Sequence, residues 1–274
     1  MKKIANILRM IKFSHTIFAF PFAIVSIIIN KQQEISVEKI FYISIALVFA
    51  RSSAMAFNRL VDYKYDKENP RTQNRELVTG KLKKREVIIF MILCSIGFIG
   101  ISFLINFLCF VLSPIVLIVI CSYSYWKRFS ILIGLAPIGV DVALNETVSY
   151  SSILLFLAIT FWIFGFDIIY SLLDIDFDKK VKLFSLPSRI GAKKALIISR
   201  ITYILMMLSL ITLGFINHFG VIYYIGLFSI SILLVTQHIW VKPKDFSCVN
   251  KAFFDLNSII SLTFLGIVIL EIIF

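Results

Sequence analysis

The sequence predicts an all-α integral membrane protein, a bundle of nine transmembrane helices. Three observations carry that expectation. Hydrophobic residues make up 59% of the 274 positions and charged residues only 16%, whereas soluble domains carry about a quarter charged residues. Apolar runs near the roughly 20 residues needed to cross a bilayer follow one another with short connections. The basic residues fall almost entirely in alternate connections.

The apolar runs lie at 13–30, 38–61, 87–106, 108–125, 129–145, 150–172, 195–215, 220–240 and 254–273. Together they use nearly the whole chain, so one membrane domain over 1–274 is expected. The first run follows Met1-Lys2-Lys3 but is long, contains Pro21 and lacks a small-residue cleavage site. It reads as a retained helix rather than a signal peptide. The run 129–145 is about 25 Å long at helical rise, marginal for the bilayer core. A tilted, re-entrant or distorted helix is expected there. Cys94, Cys109, Cys121 and Cys248 stand singly, with no metal or redox spacing.

The net charge of +12 invites a nucleic-acid reading, but the placement of the charges answers it. With the N-terminus and every second connection taken as one side, all Lys and Arg residues except Lys31, Lys39 and Arg51 fall on that side. This is the positive-inside pattern, so that side is expected to be cytoplasmic. The basic balance is topogenic, with some attraction to anionic lipid headgroups, and no nucleic-acid partner is needed. Two long polar segments, 62–86 and 174–194, interrupt the pattern on the same side. Long connections in a compact membrane protein are where function tends to reside.

Both segments carry aspartates at helical spacing. Asn58, Asp62 and Asp66 stand at i, i+4 and i+8, which on a helix lines three oxygen-bearing side chains along one face. Asp174 and Asp178 repeat the spacing, Asp176 falls on another face, and Asp167 and Ser171 lie upstream on the same stripe. Mg²⁺ takes one or two carboxylates together with phosphate oxygens and water, so two such pairs suit a metal-bound diphosphate. The metal would neutralise charge on the leaving group as a carbon–oxygen bond breaks. Lys64, Arg71, Arg75 and Lys127 suit the diphosphate oxygens, arginine through its planar fork. One such aspartate pair alone reads as a solvated loop; two on the same side, one with Asn58 in line, point to a site.

Within the spans, Arg51 shares the helical face of Asn58 and Asp62. Arginine in hydrocarbon needs an anionic partner. That partner is either Asp167, as a structural pair, or the carboxylate of a small aromatic acid. Asp141 has no partner legible in the sequence, and Glu271 is expected to reach the interface. His15, His218 and His238 are isolated and are assigned no metal role. The 27 Phe, 10 Tyr and 3 Trp residues are mostly packing, although aromatic faces also stabilise cations.

Asn58-x-x-x-Asp62-x-x-x-Asp66 with Asn69-Pro70-Arg71-Thr72 and Arg75 resembles the first signature of the UbiA superfamily of membrane prenyltransferases. Tyr170-Ser171-Leu172-Leu173-Asp174-x-x-x-Asp178 with Ser185-Leu186-Pro187 and Gly191 resembles its second. Tyr123-x-x-x-Lys127-Arg128 resembles an intermediate stretch. The resemblance covers about three quarters of the chain and is nearest to 4-hydroxybenzoate polyprenyltransferases. It implies nine helices around a central cavity open to lipid, Mg²⁺ as cofactor, and a polyprenyl diphosphate donor. By residue, it implies that Asn58, Asp62, Asp66, Asp174 and Asp178 hold the metal–diphosphate. Arg71, Arg75 and Lys127 contact phosphates, Tyr123 lies at the substrate, and Arg51 and Asp167 lie on the acceptor side. No stable protein partner is implied. Bacterial versions serve quinone synthesis, so an inner (cytoplasmic) membrane location is expected. Two departures stand out: Glu76 replaces a frequent proline, and the stretch from Lys127 to Pro137 is short, predicting a changed cavity wall. The rival functions are prenyl transfer to a dihydroxynaphthoate, a porphyrin or a glycerol phosphate, a polyprenyl-lipid or ion transporter, and a catalytically inactive isoprenoid-binding relative. A transporter would be expected to show inverted repeats, and none is seen.

Overall fold

A computed structural model describes residues 2–12, 16–30, 35–122, 134–183, 185–243 and 245–274. Its described residues are helical, apart from connections and one isolated bridge between Lys242 and Asp245. Six helical stretches are long and apolar enough to cross a membrane: Val37–Glu68, Lys84–Ile105, Tyr150–Lys180, Ala192–Ile216, Val221–Trp240 and Val249–Ile273. They correspond to six of the nine expected spans. Among the described residues, the other three runs hold shorter helices. These are α2 (Thr16–Ile29, containing Pro21), α5 (Phe107–Ser122, containing Pro114) and α6 (Ala136–Asn145). The start of the expected span 129–145, residues 129–133, lies outside the described residues.

The chain divides into two compact units. The first comprises Met1–Thr16, Gln32–Lys127 and Val142–Glu146. Here α1 (Lys2–Met10) precedes the 32-residue α3 (Val37–Glu68), which packs along α4 (Lys84–Ile105), with α5 against both. At about 1.5 Å per residue α3 exceeds the roughly 30 Å hydrocarbon core, so its C-terminal turns project beyond it. Gly97 lets the two long helices approach closely: a Cβ there would lie 2.9 Å from the Phe49 ring. Ser53 and Ser95 hydrogen-bond across the same interface at 2.8 Å, a pairing of small and polar residues common to helices in lipid. Met10, Ile11, Ala56, Leu77, Leu82 and Val87 form a small core that ties α1 to the connection after α3.

The second unit comprises Ile17–Lys31, Arg128–Asp141 and Thr147–Phe274. Its main helices are α7 (Tyr150–Ser171), α10 (Ala192–Ile216), α11 (Val221–Trp240) and α13 (Asn257–Ile273). Between α7 and α10 lie a 3₁₀ turn (Leu172–Asp174), α8 (Ile175–Lys180) and α9 (Leu186–Ile190). Ahead of α13 come α12 (Val249–Lys251) and a π turn (Ala252–Leu256). Trp162, Tyr223, Phe264, Leu155 and Met206 are among the fully buried side chains of its core. Outward, Ile197, Ile201, Ile204, Leu208 and Phe215 of α10 and Phe228, Ile232, Val235 and Ile239 of α11 are exposed. Apolar faces this extensive are found on proteins that meet lipid or a partner. With six candidate spans, the chain is an integral membrane protein.

Two carboxylates acquire partners that the sequence did not disclose. Asp141 is completely buried, and its Oδ2 accepts hydrogen bonds from the Ser149 backbone N–H (2.7 Å) and the Ser152 hydroxyl (2.6 Å). Ser149, the N-cap of α7, also donates from its hydroxyl to Asn30 Oδ1 at 2.8 Å. Glu271, expected at the interface, turns its carboxylate onto the first turn of α11 and accepts from the N–H groups of Gly220 and Tyr223. In both cases an anion meets the unpaired N–H groups and positive dipole end of a helix.

Candidate active site

The first aspartate motif occupies the last turns of α3, not a loop as the span boundaries suggested. Regular helix puts Arg51, Asn58, Asp62 and Asp66 on one stripe. Asp62 and Asp66 are only 7% and 6% exposed. Carboxylates near a helix C-terminus oppose its dipole, so cations are required nearby, and the following connection supplies them. Arg75 Nη1 lies 2.6 Å from each oxygen of Asp66. The C-cap Asn69 donates its N–H to Tyr65 O, its side-chain oxygen accepts from Arg71 N at 2.9 Å, and the Thr72 hydroxyl donates to Asp66 O at 3.2 Å. Asn69-Pro70-Arg71-Thr72 is therefore a wrap that fastens the connection to the helix end and delivers Arg75 to Asp66.

More positive charge arrives from α1. The buried Arg59 donates from Nε to Met10 O at 3.1 Å, at the negative end of α1. Beyond it Lys12 turns at φ 49°. Burial, followed by the neighbouring Arg59, Arg75, Arg71 and Arg51, pushes the Lys12 ammonium down to about 8. Arg59 in turn feels the carboxylates of Asp66, Asp62 and Glu76, so cations and carboxylates are brought together at this end of α3. Lys12 was missed in the sequence, where it counted only as a topogenic charge. The available signal was its position, apart from the terminal lysines and directly against the first apolar run. Lys64 is exposed, two residues from both Asp62 and Asp66 and hence turned away from their stripe, while Arg71 is exposed in the connection.

The second motif is built differently. Asp174 sits where the 3₁₀ turn passes into α8, at φ −108°, so Asp174 and Asp178 span an irregularity rather than a uniform helix. Asp178 is buried, Asp174 half-buried and Asp176 exposed. Downstream, Leu183 N donates to Asp178 O at 2.8 Å, and the Ser188 hydroxyl bonds to Leu183 O and Ser185 O. Pro187 opens α9. Gly191, at φ 82° and ψ 158°, occupies a region reserved for glycine and turns the chain into α10. Asp167 lies half-buried on α7, with Tyr170 on the next turn. Tyr123 and Lys127 lie outside the described residues.

Among the described residues, no group of three or more His, Cys, Asp or Glu side chains could hold a metal by itself. The donors present, carboxylate pairs with an in-line amide, suit Mg²⁺, which completes its shell with water and phosphate oxygens. They do not suit a metal that needs an all-protein cage.

Residues 19–259 match the UbiA prenyltransferase family. The chain belongs to that family. It is therefore a prenyltransferase by descent. It is 30% identical to the 4-hydroxybenzoate octaprenyltransferase of Blochmanniella floridana over 82% of both chains. The apo structure of a UbiA homologue from Aeropyrum pernix K1 is 27% identical and superposes with a TM-score of 0.84, covering 94% of this chain and 98% of that one. A UbiA homologue from Archaeoglobus fulgidus, bound to GPP and Mg²⁺, shares the fold at 16% identity and a TM-score of 0.66, over 96% of this chain and 99% of that one.

Proposed function

We propose that this protein transfers a polyprenyl group from polyprenyl diphosphate to 4-hydroxybenzoate, at the ring carbon ortho to the hydroxyl, in quinone biosynthesis. The observation that carries the reading is the buried carboxylate pair Asp62 and Asp66, with Arg75 paired to Asp66 and the buried Arg59 beside both, in a family whose members include named 4-hydroxybenzoate octaprenyltransferases. The reading takes the whole chain as one domain of nine helices around a lipid-open cavity. It sets that domain in a bacterial inner membrane, with the motif segments cytoplasmic.

In this reading Asn58, Asp62, Asp66, Asp174 and Asp178 hold Mg²⁺ and the diphosphate. Bound Mg²⁺ supplies charge neutralisation at the leaving group. Arg71, Arg75, Lys127 and Lys12 pair with phosphate oxygens, and Tyr123 borders the donor. Arg51 binds the acceptor carboxylate, with Asp167 on the acceptor side. The allylic C–O bond breaks with its electron pair on the diphosphate. The electron-rich ring carbon attacks the allylic cation, a C–C bond forms, and the displaced ring proton leaves to solvent, restoring aromaticity. Apolar surroundings keep water from capturing the cation first.

The test is an acceptor panel with the purified protein in liposomes, using geranyl diphosphate, Mg²⁺ and 4-hydroxybenzoate, a dihydroxynaphthoate or glycerol phosphate in parallel. Mass spectrometry should find 3-geranyl-4-hydroxybenzoate as the dominant product. Turnover confined to another acceptor would contradict the assignment of 4-hydroxybenzoate. Arg51→Ala should raise KM for the acidic acceptor far more than for the diphosphate, and equal effects would remove Arg51 from the acceptor site.

A further inference from the structure

We propose that α1 is an interfacial helix that seats on an anionic lipid surface, and that this seat holds Arg59 at the Asp62 and Asp66 carboxylates. The seat stands on α1 and its neighbours alone. Its effect on turnover rests on the prenyl-transfer reading above.

α1 (Lys2–Met10) presents three sides. At about 3.6 residues per turn, Ile7 and Met10, with Ile11 just beyond the helix, share one side and pack into the small core with Leu77, Leu82 and Val87. Ile4 and Leu8, one turn apart, form the adjoining side and are 65% and 42% exposed. Lys2, Asn6 and Arg9 fall on the third, and both cations are exposed. Nine residues are too few for a helix to persist in water without support. The protein grips α1 at its C-terminal end, where the core residues lie. Its other end is held by Lys3, whose ammonium is 2.7 Å from Glu86, a largely exposed pair of the kind that contributes little. An apolar side left bare beside basic residues suits a helix lying in the headgroup region. Its apolar side then enters the acyl boundary and its cations meet lipid phosphates.

The height of α1 agrees with that position. Glu86 is followed by Val87 and then by the exposed Ile88, Ile89, Ile92 and Leu93 of α4. Lys3 therefore ties α1 to α4 where the chain leaves the polar connection for its apolar run. Lys83, Lys84 and Arg85, all exposed, immediately precede Glu86. With Lys2, Lys3 and Arg9 they bring six cations to this boundary, which favours anionic over zwitterionic headgroups.

The consequence reaches the candidate site through the other end of α1. Met10 O accepts from Arg59 Nε at 3.1 Å. Arg59, 6% exposed, feels the carboxylates of Asp66 and Asp62. A seated α1 keeps this carbonyl on the guanidinium; a frayed one removes an acceptor from a buried charge. Arg59 acts here as a positioning residue, and the lipid surface becomes an input to donor binding.

The test is hydrogen exchange of the amides of residues 6–10 in nanodiscs, one copy of the full chain in each. The discs are made of phosphatidylcholine, or of an equal mixture with phosphatidylglycerol. Exchange should be slower in the mixture. In Lys2→Gln/Arg9→Gln that difference should shrink by about fivefold per cation removed, while Lys2→Arg/Arg9→Lys behaves as wild type. Ile4→Ser/Leu8→Ser should speed exchange in both lipids. Equal protection in the two lipids, or a glutamine pair like wild type, would overturn the inference. Protection that appears only with two copies per disc would give the face to a second chain and overturn it too. In parallel, the donor KM of wild type should be roughly three- to fivefold lower in the mixture, with kcat little changed, and the glutamine pair should lose that response. A response of equal size in both proteins would break the link to Arg59. A wild-type protein that forms no prenylated product would overturn the reaction assignment instead, and the exchange measurement would still decide the seat of α1.

Discussion

Carboxylates serve two purposes in this molecule, and the helix end at which each sits separates them. Asp141 and Glu271 face the N-termini of α7 and α11, where unpaired N–H groups and the dipole favour an anion. Asp62 and Asp66 sit at the C-terminal end of α3, where the dipole is against them, and are accompanied by Arg75 and the cations around it. The first pair lowers the energy of the fold. The second is kept where it costs stability, which is the behaviour expected of residues retained for chemistry.

The contrast is broken most directly by Asp62→Asn. Removing one charge-stabilising group from a reaction centre typically costs about 10²–10³ in rate. The prenylation rate should fall by that order, with the melting temperature in detergent holding or rising slightly. Asp174→Asn should behave alike. The opposite signature is expected of Asp141→Ala. Loss of two hydrogen bonds to a buried carboxylate should cost about 2–3 kcal/mol of stability, read as a lower melting temperature, with kcat intact where the protein stays folded. Glu271→Gln removes the charge from a half-buried cap and should cost about 1 kcal/mol or less in the same melt.

The smallest effect concerns Lys12. Its ordinary value is 10.5 and the fold holds it near 8, so the fold disfavours the protonated form. Its contribution to stability is therefore poorest below pH 8 and improves as pH rises towards 10.5. Anion binding has the opposite sign, because the protonated amine is the binding form. Donor affinity should weaken roughly threefold between pH 7.5 and 8.5 and be flat over that range in Lys12→Met. An unchanged pH profile in that variant would remove Lys12 from the anion site.

What the sequence disclosed was local. The spacing of Arg51, Asn58, Asp62 and Asp66 defines a stripe on any regular helix, and α3 is regular. The spacing of Asp174 and Asp178 was equally visible, but the 3₁₀ turn between Leu172 and Asp174 was not, since Ser171-Leu172-Leu173 contains no breaking residue. Lys12 was hidden because its burial depends on Leu77 and Leu82, some 65–70 residues away, packing with Met10 and Ile11. Asp141 was hidden because its partners lie past the chain reversal before α7. The π turn carrying Phe253 has no sequence signature, and its supports come from α11 and α13. Among the described residues, α2, α5 and α6 occupy the three remaining apolar runs with 14, 16 and 10 residues, and α2 and α5 each adjoin residues outside those described.

The most direct measurement is Mg²⁺-dependent pyrophosphate release from geranyl diphosphate with 4-hydroxybenzoate, run side by side on wild type, Asp62→Asn and Asp141→Asn. Wild type and Asp141→Asn should release pyrophosphate at similar, metal-dependent rates wherever both are folded, while Asp62→Asn falls to near background. Release that needs no metal, or an Asp62→Asn rate matching wild type, would contradict the division of labour proposed for these carboxylates.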